Sequence, residues 1–178
     1  ALRRAGRDMS DCKRVGPVQL LRECEVLTPE CLLAHANVLT ELDVTVLGAT
    51  GAHVVHCPVT HRFFQRPMPV VERLQRAGVN VCLGTDSLAS GDSLSLFAQM
   101  QEFSRVFPKW SAEEILRLAT VNAARAIGQG DRLGKIAVGA AADLIAVPLA
   151  GNFDPYEAVV YAEQPVRFMM INGKVIRE

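Results

Sequence analysis

Three apolar runs in this sequence finish on a group able to hold a proton or a metal ion. "CLLAHA" (31–36) carries His35, "AHVVHC" (52–57) carries His56, and "VNVCLGTD" (79–86) ends on Asp86. A carboxylate at a strand end is a hard or borderline metal ligand. An imidazole is either a ligand or a proton carrier near neutral pH. Each residue alone has a plainer reading: a histidine near a strand end is more often a structural hydrogen-bonding group, and an aspartate after a strand often caps the next helix. Three of them on successive strand ends point instead to one shared rim, because α/β folds gather their sites at the carboxyl ends of parallel strands. Small residues surround the third group, Ser87, Ser90 and Gly91 with Asp92, and they leave room for a ligand there.

The other two histidines divide between support and rim. His53 opens the second run, at the end away from the rim, and reads as structural. His61 falls in "VTHRFFQRP", a loop following that run, with Arg62, Phe63 and Phe64 beside it. That loop could touch a flat, polar heterocycle, or it could be a surface loop with aromatic residues tucked beneath it.

The elements that must place these groups follow from pattern. Residues 16–26 read as a short helix and 31–36 as a buried strand. Thr40 is a candidate N-cap, with Asp43 three residues on and Gly51 at the exit of the helix. The strand at 52–57 stops at Pro58, a helix covers 68–78, and 79–86 is a third strand. Helices follow at 93–106, with Leu96, Met100, Phe103 and Phe107 on one face, and at 111–127, opened by Ser111 and Glu114 as a capping box. Its apolar face is Ile115, Leu118, Ala119, Ala123 and Ile127. Strand and helix in alternation is the pattern of a parallel sheet with crossover helices. The texture changes near residue 129. "DRLGKI", "ADLIAVPL", "EAVVYA" and "VRFMMINGKVIRE" read as short strands, and Asn172-Gly173 between two apolar runs is a hairpin signal. The expected division is 1–128 and a small β module at 129–178.

Composition removes several function classes. The 178 residues balance 19 Lys and Arg against 19 Asp and Glu, so no basic field exists to attract nucleic acid. With 49% hydrophobic and 21% charged residues the chain is too apolar for disorder. The five cysteines, 12, 24, 31, 57 and 82, form no CxxC pair. They read as reduced, buried thiols of a cytoplasmic protein rather than a zinc cluster. No run reaches transmembrane length, so no membrane partner is expected. Residues 1–14 are polar and basic, read as a loop or fraying end without a signal peptide.

Four blocks in order carry a resemblance: "LLAHANVLTELDVTVLGATGAHVVHCPVTHRFF", "AGVNVCLGTDSLASGDSLSLFAQM", "LRLATVNAARAIG" and "GKIAVGAAADLIAV". From about residue 17 onward the chain resembles the C-terminal part of the amidohydrolase superfamily, in the branch of the cytosine, guanine and adenosine-type deaminases and the triazine chlorohydrolases. The resemblance implies a (β/α)8 TIM barrel beside a small β-sandwich. This chain would supply strands six to eight with their helices, plus the C-terminal sandwich strands. It implies a mononuclear metal, zinc or iron, in the complete enzyme. Asp86 matches the eighth-strand aspartate that binds the metal and shuttles a proton. His35 matches the sixth-strand histidine that contacts the attacking hydroxide and the substrate. His56 matches the seventh-strand HxP block, a position on the substrate side or just behind it, and His61 follows as a substrate-side candidate.

The departures matter as much. The family's HxH on the first strand and HxxE on the fifth have no counterpart among the four histidines here. One carboxylate does not hold a catalytic zinc, which wants three or more protein ligands. The expectation is that this chain alone binds no metal and is inactive. The parent protein would hydrolyse a C–N bond other than a peptide bond, deaminating an amino-substituted N-heterocycle with metal-activated water. The rival within the family is dehalogenation of a heterocycle, and the rival outside it is a non-catalytic half-barrel interaction module. A partial barrel would leave two strand edges open, so self-association or pairing with a missing N-terminal half is also expected.

Overall fold

The computed structural model describes residues 15–91, 93–149 and 154–177. The expectations for residues 1–14, Cys12 among them, and for Asp92 lie outside these. Two three-stranded sheets organise the rest.

The first sheet is parallel, in the order β1 (Leu32–Ala34), β2 (His53–His56), β3 (Asn80–Leu83). Leu32 is level with His53, and His53 with Asn80. All three strands therefore end at one rim. β2 is covered on both sides and Val54 is fully buried, the reason its run is apolar without alternation. Among the described residues β1 and β3 each pair on one side only.

Helices α1 (Pro17–Glu23), α2 (Glu41–Thr50), α3 (Pro58–Phe63), α4 (Val71–Arg76), α5 (Leu96–Val106), α6 (Ala112–Ala119) and α7 (Val121–Ala126) surround it. The Thr40 capping box forms as read. Its hydroxyl accepts from the Asp43 N–H at 3.2 Å, and the Asp43 carboxylate accepts from the Thr40 N–H at 2.9 Å. Gly51 ends α2 in the left-handed conformation. Ser111 and Glu114 cap α6 in the same reciprocal way. The core joins Leu47, Val54, Leu74, Phe103 and Ile115, each fully buried.

Gly48 explains the close seat of α2. A Cβ built there would stand 2.3 Å from the Ala77 carbonyl oxygen. Gly48→Ala, which in an open helix would gain about 1 kcal/mol, is expected here to lose about 1–3 kcal/mol through backbone overpacking. Urea unfolding reads the sign directly.

Several elements depart from expectation. Pro58 does stop β2, but it also opens α3, since a proline at the first helical position lacks only an N–H that would be orphaned anyway. His61 is therefore on a helix, not in a loop. The helix read at 111–127 is broken at Thr120, whose backbone (φ −121°, ψ −89°) is not helical. "EAVVYA" is helix α8 (Pro155–Val160), capped by Asp154 with Pro155 at its start. Its Val160 is buried in the core. "DRLGKI" is a turn, bent at Gly134 (φ +78°) against the Thr120 carbonyl. Ile127, placed on the buried face of the helix, is exposed, as are Leu96 and Cys24.

The second sheet, order β4 (Leu144–Ala146), β5 (Phe168–Ile171), β6 (Lys174–Arg177), is antiparallel. Asn172 (φ +48°) and Gly173 (φ +77°) make its hairpin, the two left-handed residues that a two-residue turn requires. Among the described residues no helix is long and apolar enough to cross a membrane.

Candidate functional site

The rim of the parallel sheet brings His35, His56, His61 and Asp86 together. His35 is the first residue beyond β1. Its N–H still donates to the Val55 carbonyl at 2.8 Å, which holds it in the sheet's register. Its backbone then turns left-handed, φ +70°, and Ala36 follows at +45°. Asp86 leaves β3 through Gly84-Thr85 and is also left-handed, φ +57°. Gly84 can approach Val55 only without a side chain: a Cβ would lie 2.6 Å from a Val55 methyl. Left-handed backbone costs a residue with a Cβ about 1–2 kcal/mol, least for types such as His and Asp. Two such residues on one rim mark a place where the fold accepts strain to aim side chains.

They are aimed at each other. His35 Nε2 lies 3.8 Å from Asp86 Oδ2, and both side chains are about one-third exposed. Ser90 donates to the same carboxylate oxygen at 2.8 Å. This hydrogen bond, with help from the Ser87 N–H and the neighbouring His35, holds the Asp86 carboxyl below its ordinary range despite some desolvation.

His56 and His61 lie behind this pair. The His61 ring is 5.6 Å from that of His35 and 4.6 Å, edge-on, from that of His56. His56 also packs against Phe103 and Phe107. Both rings are buried, and none of their four nitrogens hydrogen-bonds to the protein among the described residues. Burial, then the neighbouring imidazoles, pushes His56 down to about 3. Burial, then His35, pushes His61 down to about 4, while the nearby Pro67 carbonyl opposes weakly from outside hydrogen-bonding geometry. Both rings are neutral at pH 7. The Cys57 thiol, beside Asp86, is pushed up to about 11, first by burial and then by that carboxylate, and stays protonated and inert. His53 sits at the far end of β2, buried and away from the rim.

Thr60, which the sequence did not single out, joins this site, and Ser90, read there only as a small residue leaving room, is part of it too. The small residues after Asp86 do more than leave room, since Ser90 is buried and hydrogen-bonded to the carboxylate. Its spacing of four residues from Asp86 was the available signal.

As a metal centre the set is incomplete. Asp86 offers suitable oxygen donors, but among the described residues no three His, Cys, Asp or Glu side chains gather so as to hold an ion. That falls short of the three or so protein ligands of a catalytic zinc. What the arrangement offers by itself is a carboxylate and an imidazole facing one open gap.

Residues 7–176 match the model of the amidohydrolase family. The chain is 36% identical over 176 residues to a 5-methylthioadenosine/S-adenosylhomocysteine deaminase of Syntrophobacter fumaroxidans, covering 91% of this chain and 40% of that protein. It is 37% identical over 154 residues to a 5'-deoxyadenosine deaminase of Methanoregula boonei, covering 79% of this chain and 34% of that one. Among solved structures it resembles an adenosine deaminase from Xanthomonas campestris with bound zinc. The TM-score is 0.86 at 29% identity, covering 96% of this chain and 42% of that one. The chain thus spans about 40% or less of the length of these two curated relatives.

Proposed function

Because the chain belongs to the amidohydrolase family, we propose that it forms the C-terminal part of a hydrolase that removes the amino group from an adenosine-type heterocycle. In this reading the first sheet is strands six, seven and eight of a (β/α)8 barrel, within residues 1–128. The second belongs to the β-sandwich, within 129–178. The open edges of β1 and β3 take the remaining strands. The observation that carries the reading is the His35–Asp86 pair, set on the carboxyl rim of the two outer strands of the parallel sheet by two left-handed residues.

The metal of such an enzyme acidifies a water molecule. Among the described residues Asp86 would be its donor, and the other ligands would come from the part of the relatives' length that this chain does not span. The 3.8 Å gap between His35 Nε2 and Asp86 Oδ2 is too long for a hydrogen bond. One oxygen atom can sit about 2.8 Å from both groups. A nucleophilic water there gives its proton to Asp86 while His35 steadies the oxygen. The new carbon–oxygen bond forms, the carbon–amine bond breaks, and Asp86 returns the proton to the departing ammonia. His61, neutral and buried, backs His35 from behind, with His56 packed against it in turn, and neither adds charge.

The test is ammonia release from 5'-methylthioadenosine, 5'-deoxyadenosine and adenosine. It uses the 178-residue chain and the same protein extended to the relatives' length and loaded with zinc. The extended protein is expected to turn over at least one of the three, and the short chain none. An extended, zinc-loaded protein that releases no ammonia from any of them would remove this reading.

A further inference from the structure

Helix α3 is tied down at both ends of its middle turn. The Val59 N–H donates to Gln99 Oε1 at 3.1 Å, and Arg62 Nη1 donates to Glu102 Oε2 at 2.9 Å. Both acceptors are buried on α5. Between these anchors Thr60, itself buried, donates its hydroxyl to Ser90 Oγ at 3.3 Å. Ser90 in turn lies 2.8 Å from Asp86 Oδ2 and 3.0 Å from the Ser87 carbonyl. A hydroxyl has one hydrogen to give, and the nearer, charged acceptor takes it. The turn bearing Ser90 is itself pressed onto α3, since a Cβ at Gly91 would stand 3.0 Å from a Val59 methyl.

Asp86 needs such a hold. Its backbone is strained, its side chain is one-third exposed, and the His35 imidazole is not within hydrogen-bonding distance. A surface carboxylate without a fixed partner samples several rotamers, and a displacement of about 1 Å at a reacting group can cost about 100-fold in rate. We propose that Ser90, backed by Thr60, is the positioning residue that fixes the Asp86 carboxylate opposite His35. The kinetic part of this rests on the proposed deaminase reading, and the geometric part does not. Ser90 is buried against the carboxylate. It acts by committing Oδ2, which determines where the other carboxylate oxygen points. Thr60 acts chiefly through Ser90, by the 3.3 Å hydrogen bond, and its hydroxyl adds a weaker direct pull on the Asp86 carboxyl.

The experiment uses the protein extended to the relatives' length, in four forms: wild type, Ser90→Ala, Thr60→Val and the double variant. Ser90→Ala is expected to lower kcat about 10–100-fold, with KM within about threefold and the melting temperature unchanged. Thr60→Val keeps shape and loses the hydroxyl, and is expected to lower kcat about threefold. The double variant is expected to lose clearly less than the product of the two single losses, because residues in series are not additive. Crystal structures of wild type and Ser90→Ala, at one condition, should show the Asp86 carboxylate leaving its rotamer while its Cα stays in place. Wild-type kcat in Ser90→Ala, multiplicative losses in the double variant, or an unmoved Asp86 rotamer would each overturn the proposal. Should Ser90→Ala fail to fold, Thr60→Val decides, and unchanged kcat with an unchanged Ser90 rotamer would overturn it. If the wild type deaminates nothing, the functional reading falls, and Ser90 is judged on the crystal structures alone.

Discussion

Asp86→Asn, in the protein extended to the relatives' length, is expected to lower kcat for deamination by about 1,000-fold while KM changes little. The amide has the size and shape of the carboxylate. Its oxygen can still accept from Ser90, which lies 2.8 Å from the present Oδ2, so the turn and the left-handed backbone at 86 have no reason to rearrange. What is lost is the ability to take a proton and return it, together with the charge Asp86 would offer a metal, so zinc content is measured beside the rate. The mutation therefore separates chemistry from architecture better than alanine, which would also free Ser90. Single-turnover ammonia release measures the chemical step, and thermal melting checks that the fold is intact. Undiminished single-turnover rates in a folded variant would take Asp86 out of the proposed reaction.

The rim was legible because its three groups each close an apolar run, and register then does the rest. Leu32, His53 and Asn80 are level, so His35, His56 and Asp86 arrive at the same end of the sheet. Capping was legible for the same local reason. Thr40 with Asp43, and Ser111 with Glu114, write both halves of a reciprocal hydrogen bond within four residues. Elements without such local writing were misread. "EAVVYA" is too short for a period of two to be told from a period of 3.6, and the decisive signal was Asp154-Pro155 before it. Pro58 carries two meanings, strand stop and helix start, and only the packing of α3 on α5 selects the second. The left-handed φ values of His35 and Asp86 fit residue types that tolerate that region, but type alone does not say which His or Asp adopts it. The Ser90 hydroxyl was noticed only as a small residue, because its partner is settled by the tertiary position of a turn.

Acid should destabilise this fold well before its carboxylates titrate, and the cause is the buried pair His56 and His61. Unfolded, an imidazole takes a proton near pH 6.5. Folded, these two resist until about 3 and about 4. Above pH 6.5 both rings are neutral in either state and stability does not depend on them. Below it the unfolded chain binds protons that the folded chain refuses. Each ring then costs about 1.4 kcal/mol per pH unit until its folded value is reached. Between pH 7 and pH 5 the pair should remove about 4 kcal/mol. The Asp86 carboxyl, also lowered on folding, acts in the same direction only below about pH 4. Urea unfolding at pH 7 and pH 5 measures the fall. His61→Phe, which keeps a ring against His56 and removes two unpartnered nitrogens, should cut the pH dependence by about half. Equal slopes in wild type and variant would show that His61 is not protected from protonation. Burial is the leading cause of both shifts, so the slope also reports closure of the rim. Water admitted to the space between α3 and β2 would return both rings towards 6.5 and flatten the curve. A chain whose open strand edges let the rim loosen should therefore show a shallower acid response than the same residues inside a closed barrel.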